Sequence, residues 1–130
     1  MPHVMIDYSR NLEDRLDLAG LCRAIRDAAA ATGVLPLAGL RVRATACDHV
    51  VIADGNPEHA FLDISLRLRA GRTHAEKERA TQAIFSAAEA YCAEVLATSS
   101  FLLSFEMRDI DPALSPKTSS IRRYLAGGEE

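Results

Sequence analysis

A few residues of this 130-residue chain could do chemistry together: a proline at position 2 and arginines that follow glycines. Pro2 comes directly after the initiator methionine. Removing Met1 would leave a secondary amine fixed to a ring, with the ring at the head of a strand-like run, Pro2-His3-Val4-Met5-Ile6-Asp7-Tyr8. A free α-amine titrates at about 8. Burial and neighbouring cations both disfavour its charged form and bring it towards the working range of a general acid–base. A loose terminus positions nothing, whereas a terminus held in a sheet fixes one nitrogen. A Met-Pro start alone carries no chemistry, and the arginines give this one weight. Arg72 closes Ala70-Gly71-Arg72 at a strand-to-helix junction, where a helix N-terminus and a guanidinium both favour an anion. Arg41 follows Gly39 at the start of a second strand, and alternation puts Arg43 on the same face. Guanidinium groups grip carboxylates with two parallel hydrogen bonds. Arg43 is either a second such group or an exposed ladder residue.

The elements that must position these residues follow from periodicity. Residues 2–8 alternate Pro2, Val4, Ile6 and Tyr8 against His3, Met5 and Asp7, as a half-buried strand requires. Leu18, Leu21, Cys22, Ile25 and Ala29 share one helical face over 17–32, with Asp17 as N-cap and Gly33 as the left-handed stop. Leu40, Val42, Ala44 and Ala46 mark the second strand. A turn leads to a short expected strand, Val50-Val51-Ile52, which closes a hairpin before the turn-forming Ala53-Asp54-Gly55-Asn56-Pro57. Residues 61–69 alternate again. Thr73-His74-Ala75-Glu76 is a capping box, and Ala80, Ile84, Ala88, Cys92 and Leu96 climb one long helix, with Phe85 and Val95 flanking. A last strand is expected over 101–107.

The order β-α-β-β-α-β predicts an α+β fold with one four-stranded sheet and both helices on one face. The chain reads as one domain over 1–130: a first unit with its hairpin (2–58), a second unit (59–110) and a tail (111–130). In the second unit Phe61, mid-chain and chemically inert, stands where Pro2 stands in the first.

Composition narrows the function. The net charge is −3 with signs mixed throughout, so no basic face suggests nucleic acid. No apolar run is long enough to span a membrane, and the start lacks the charge-then-apolar pattern of a signal peptide. Cys22, Cys47 and Cys92 are widely spaced, as expected of small buried thiols in a reducing compartment. His3, His49, His59 and His74 lack metal-ligand spacing; His49 and His59 read as turn residues and His74 as an exposed first-turn residue. At 48% apolar residues the core is real but modest, which favours oligomerisation.

Taken in order, Pro2-His3, the segment Ala31-Thr32-Gly33 through Pro36-Leu37-Ala38-Gly39 to Arg41 and Arg43, Ala53-Asp54-Gly55, Ala70-Gly71-Arg72 and Leu103-Ser104-Phe105-Glu106 resemble the 5-carboxymethyl-2-hydroxymuconate Δ-isomerase family of the tautomerase superfamily. The likeness covers about residues 2 to 118. It implies a cytoplasmic homotrimer with no metal and no organic cofactor. It implies a polycarboxylate dienol as substrate, in the breakdown of 4-hydroxyphenylacetate through homoprotocatechuate. The family's base, the processed N-terminal proline, falls on Pro2. Its carboxylate-binding arginines fall on Arg41 and Arg72, and Arg43 matches with less weight.

Two other readings stay open. One is a different proline-based reaction on the same scaffold: another tautomerisation, a hydration or a dehalogenation of an unsaturated acid. The other is a non-catalytic small-ligand module of ferredoxin-like order.

Overall fold

The computed structural model describes residues 1–126, so the last four positions of the expected tail lie outside the described residues. Strand β1 (His3–Ser9) leads to helix α1 (Leu18–Ala31) and strand β2 (Arg41–Cys47). Strand β3 (Ala60–Arg69), helix α2 (His74–Tyr91), helix α3 (Ala93–Thr98) and strand β4 (Phe101–Ile110) follow. The sheet order is β2-β1-β3-β4. The outer pairs β1–β2 and β3–β4 are parallel, and the central pair β1–β3 is antiparallel. This is the expected α+β arrangement.

Alternation decides which face is which. Val4, Ile6, Leu62, Ile64, Leu66 and Leu68 are buried in one cluster with Leu21, Ile25 and Ala29 of α1 and Ala80, Ile84 and Ala88 of α2. The intervening residues, His3, Met5, Asp7, Arg41, Arg43, Asp63, Ser65 and Arg67, face the other way and are polar apart from Met5. Gly33 takes φ 71° after α1, the left-handed stop its position demands. The Thr73 hydroxyl accepts from the Glu76 amide at 3.1 Å, and the Glu76 carboxylate accepts from the Thr73 amide at 2.9 Å, completing the capping box.

Four expectations need correction. Val50-Val51-Ile52 is not a strand. It runs through an irregular loop in which Val51 is 87% exposed. Branched side chains favour strands because neighbouring strands pack against them, and here no strand of the same chain is alongside. Instead His59 braces the loop, pairing with Ser100 Oγ at 2.6 Å through Nδ1 and with Asp54 Oδ1 at 2.7 Å through Nε2. The second long helix ends at Tyr91. Cys92 adopts φ −93° and ψ 11°, and the phase shift it introduces buries Val95 and leaves Leu96 40% exposed, reversing the expected roles. Strand β4 continues to Ile110, because β3 offers a parallel partner through Arg69. The fourth correction concerns Asp17. It sits at the N-cap of α1, but its side chain makes no capping bond. Its carbonyl accepts from the Tyr91 hydroxyl at 3.0 Å instead, tying the two long helices together.

That tie depends on Gly20. A Cβ there would collide with the Tyr91 hydroxyl and come within 2.8 Å of the Asp17 carboxylate. Helix propensity alone favours Gly20→Ala by about 1 kcal/mol. Overpacking at a rigid ring costs about 1–3 kcal/mol, and the hydrogen bond adds about 1. Urea unfolding should therefore show Gly20→Ala destabilised by about 1–3 kcal/mol, and the same change neutral or stabilising in a Tyr91→Phe background. Stabilisation in both backgrounds would refute the contact.

Candidate active site

Strand pairing brings the chemical residues together. Because β1 and β3 are antiparallel, the start of β1 lies beside the end of β3; because β1 and β2 are parallel, it also lies beside the start of β2. His3 is in register with Arg41 on one side and with Arg67 on the other. The Arg41 amide donates to the Pro2 carbonyl at 3.2 Å. Pro2 is buried on the core face. Gly39 backs its ring: a Cβ there would lie 3.4 Å from Pro2 Cδ and 3.5 Å from Met1 Cα. Gly39, two residues before Arg41, thus packs beside the head of β1.

The arginines are held before any ligand arrives. Arg72 donates through Nη2 to the Val34 carbonyl at 3.2 Å and through Nη1 to the Arg69 carbonyl at 3.3 Å. Arg41 donates through Nε to the Gly39 carbonyl at 3.0 Å. Arg43 shares the open face of the sheet with Arg41 and lies with Nη1 at 3.4 Å from His3 Nδ1. Arg41 and Arg72 both act on the amine that precedes Pro2, and Arg43 is not among the charges that do.

The electrostatics follow from this placement. In the chain as described, the α-amine beside Pro2 belongs to Met1. Burial and then the charges of Lys117, Arg72, Arg41 and Arg69 lower its pKa from 8.0 to about 6. Among the described residues, none of these four cations has a carboxylate within 4.0 Å. His3 is likewise pushed down to about 4, by burial first and then by Arg41, Arg67 and Arg43, so its ring is neutral at pH 7. Burial pushes the Cys92 thiol up to about 11, which leaves it without thiolate reactivity at neutral pH.

Sequence reasoning missed Lys117 and Arg69. Arg69 ends β3 on the exposed ladder, and nothing local distinguishes it from Arg67. Lys117 lies in a tail without periodicity, and only the fold shows that this tail returns to Ala38, Gly39 and Arg41, with which it lines a cavity of about 180 Å³. Among the described residues, no group of three or more His, Cys, Asp or Glu side chains is placed to hold a metal ion, and no helix is long and apolar enough to cross a membrane.

A four-stranded mixed sheet of this order, with helices on one face and a proline at the head of β1, is the tautomerase-superfamily fold. A fused 4-OT described as a symmetric trimer shares it at a TM-score of 0.65 and 16% identity, over 89% of this chain and 93% of that one. The family model for 5-carboxymethyl-2-hydroxymuconate isomerase matches residues 2–125. The Escherichia coli 5-carboxymethyl-2-hydroxymuconate Δ-isomerase is 31% identical over 121 residues, covering 93% of this chain and 96% of that protein. A crystal structure of a 5-carboxymethyl-2-hydroxymuconate Δ-isomerase superposes with a TM-score of 0.91 at 30% identity, over 100% of this chain and 96% of the other. The chain belongs to the 5-carboxymethyl-2-hydroxymuconate isomerase family.

The lowered amine has a direct consequence. Its folded pKa is depressed, so between pH 8 and 6 the unfolded chain binds more protons; the stability it contributes is complete above pH 8 and lost as the pH falls through about 6. The Met1-bearing protein, reductively methylated with 13C, should show its terminal amine titrating at about 6 by NMR, and Arg72→Ala should move that value upward. An amine that titrates near 8 in both proteins would show that the cations do not act on it.

Proposed function

We propose that this isomerase shifts a proton within a 5-carboxymethyl-2-hydroxymuconate dienol, using the amine of Pro2 after Met1 is removed. The observation that carries the reading is the set of cations acting on the terminal amine, none of which has a carboxylate within 4.0 Å among the described residues. With Met1 gone, the prolyl nitrogen becomes the amine in that field. In its neutral form it accepts the proton of the 2-hydroxyl. The O–H bond breaks, the C2–O bond becomes a carbonyl, and C2=C3 moves to C3=C4. The C4=C5 electron pair then takes the proton back from the prolyl ammonium at C5. One group serves as base and then as acid, so no proton is lost to solvent. Arg41 and Arg72 hold carboxylates and stabilise the dienolate as charge develops, each contact worth about 1.5–3 kcal/mol. Arg43, paired with His3 on the open face, has a lesser part in this reading. No cofactor enters it, and it places the protein in the cytoplasm, in homoprotocatechuate degradation.

The same reading includes a homotrimer. The fused 4-OT of this fold is described as one. Support on this chain comes from what a single copy leaves unmet: Val51 is 87% exposed, Leu102 is 60% exposed, and the buried Nε of Arg67 has no partner among the described residues. The strands β2 and β4 also end the sheet with free edges. Light scattering at micromolar concentration should report three chains; a stable monomer would overturn the assembly.

Met1 supplies the test of the base. While Met1 is attached, the Pro2 nitrogen is an amide, without a basic lone pair. Isomerisation of the dienol should rise in proportion to the fraction of chains that begin at Pro2, measured by intact mass. A preparation wholly capped by Met1 that turns over at the processed rate would remove Pro2 from the mechanism.

A further inference from the structure

After β4 the chain does not leave the sheet. The Asp111 carboxylate accepts from the Ala113 amide at 2.9 Å, and the Ser115 hydroxyl donates to the Asp111 carbonyl at 2.8 Å. These bonds turn the chain back across the end of the sheet. Lys117 then shares one cavity of about 180 Å³ with Gly39 and Arg41, and a second of about 220 Å³ with Ala38 and Arg122. Gly39 is the residue that abuts the Pro2 ring. Lys117 therefore stands in one cavity with Arg41 and with the residue that packs against the Pro2 ring.

The charges need explaining. Lys117 has no carboxylate within 4.0 Å among the described residues, nor has Arg41 or Arg72. Like charges brought together without acids repel, and the fold tolerates this where an anion of matching charge is to be received. The substrate class proposed above bears three carboxylates. Two end the planar conjugated chain, and the third hangs on a saturated CH2 arm that leaves the plane. Rigid forks suit the planar ends, and a flexible ammonium stem suits a flexible arm.

On that reading of the site, we infer that Lys117 is the specificity residue for the carboxymethyl carboxylate, so that the C-terminal segment selects three-carboxylate dienols over two-carboxylate ones. Its charge also acts on the terminal amine beside Pro2, together with those of Arg72, Arg41 and Arg69.

The test compares 5-carboxymethyl-2-hydroxymuconate with 2-hydroxymuconate, the same dienol without the arm. In processed protein, Lys117→Met should raise KM about tenfold more for the first substrate than for the second, as loss of one charge-assisted contact predicts. Lys117→Arg should recover most of that difference, and Arg72→Ala should weaken both substrates alike. Equal changes for the two dienols, or no change, would overturn the inference and leave the proposed reaction standing. Should the wild type turn over neither dienol, the proposed reaction falls and calorimetry decides the inference. Tricarballylate should then bind Lys117→Met about tenfold more weakly than wild type, with glutarate affected less. Equal affinity of both proteins for tricarballylate would overturn it.

Discussion

The antiparallel pairing of β1 with β3 is the constraint on which the site depends. Pairing through His3↔Arg67 and Tyr8↔Leu62 sets the head of one strand against the tail of the other. The parallel pairing His3↔Arg41 then adds the head of β2 to the same corner. A shift of one residue in the central register would turn every side chain of β1 to the opposite face. Pro2 would leave the core, and His3 would enter it. The buried row Val4, Ile6, Leu62, Ile64, Leu66 and Leu68 makes that shift too costly, so the hydrophobic core fixes the position of one nitrogen.

A core can fix position, but it does not set reactivity. The lowered pKa of the amine there comes from burial and from cations that have no carboxylate within 4.0 Å among the described residues. Two devices keep them there. Backbone carbonyls of Val34, Arg69 and Gly39 accept from Arg72 and Arg41, so the guanidinium groups are oriented without being neutralised. The helices supply the remaining rigidity, since the Thr73 capping box anchors the start of α2 immediately after Arg72. An aspartate in place of those carbonyls would hold the arginines as firmly. It would also raise the amine's pKa and compete with an incoming carboxylate.

What the sequence made legible was whatever repeats along the chain. Alternation placed Pro2, Val4, Ile6 and Tyr8 on one face, helical spacing placed Leu21, Ile25 and Ala29, and Gly33 and Thr73 marked their boundaries. Arg41 and Arg72 were legible because each follows a glycine that does local work. Single conformational events and contacts between distant segments were not legible. The irregular φ and ψ at Cys92 exchange the roles of Val95 and Leu96 without any warning residue. Val50-Val51-Ile52 has the composition of a strand but has no partner in its own chain. Lys117 acquires its place only because the tail returns to Gly39 and Arg41, and the guanidinium of Arg43, whose register partner is Met5, turns to His3.

The internal repeat of the fold gives the sheet a second corner with which the first can be compared. The strands β3 and β4 repeat the relation of β1 to β2, so the head of β3 also meets the tail of β1 and the head of β4. Burial parity puts Ala60, and not Phe61, at the equivalent of Pro2: Ala60 is buried on the core face, and Phe61 lies on the other. This second corner has a cleft too, of about 280 Å³, lined by Ser9, Arg10, Asp48 and His59 among others. Its arginine is neutralised, with Arg10 at 2.7 Å from Asp48 and 3.4 Å from Glu13. The chain passes straight through its strand head, so the nitrogen there is an amide and carries no basic lone pair. Two corners with similar backbone geometry thus differ in the two properties that matter, a terminal amine and an uncompensated positive charge. Both are present at the corner where the chain begins, and both are missing from the other, so the asymmetry of the site follows from chain connectivity and ion pairing within a nearly symmetric sheet.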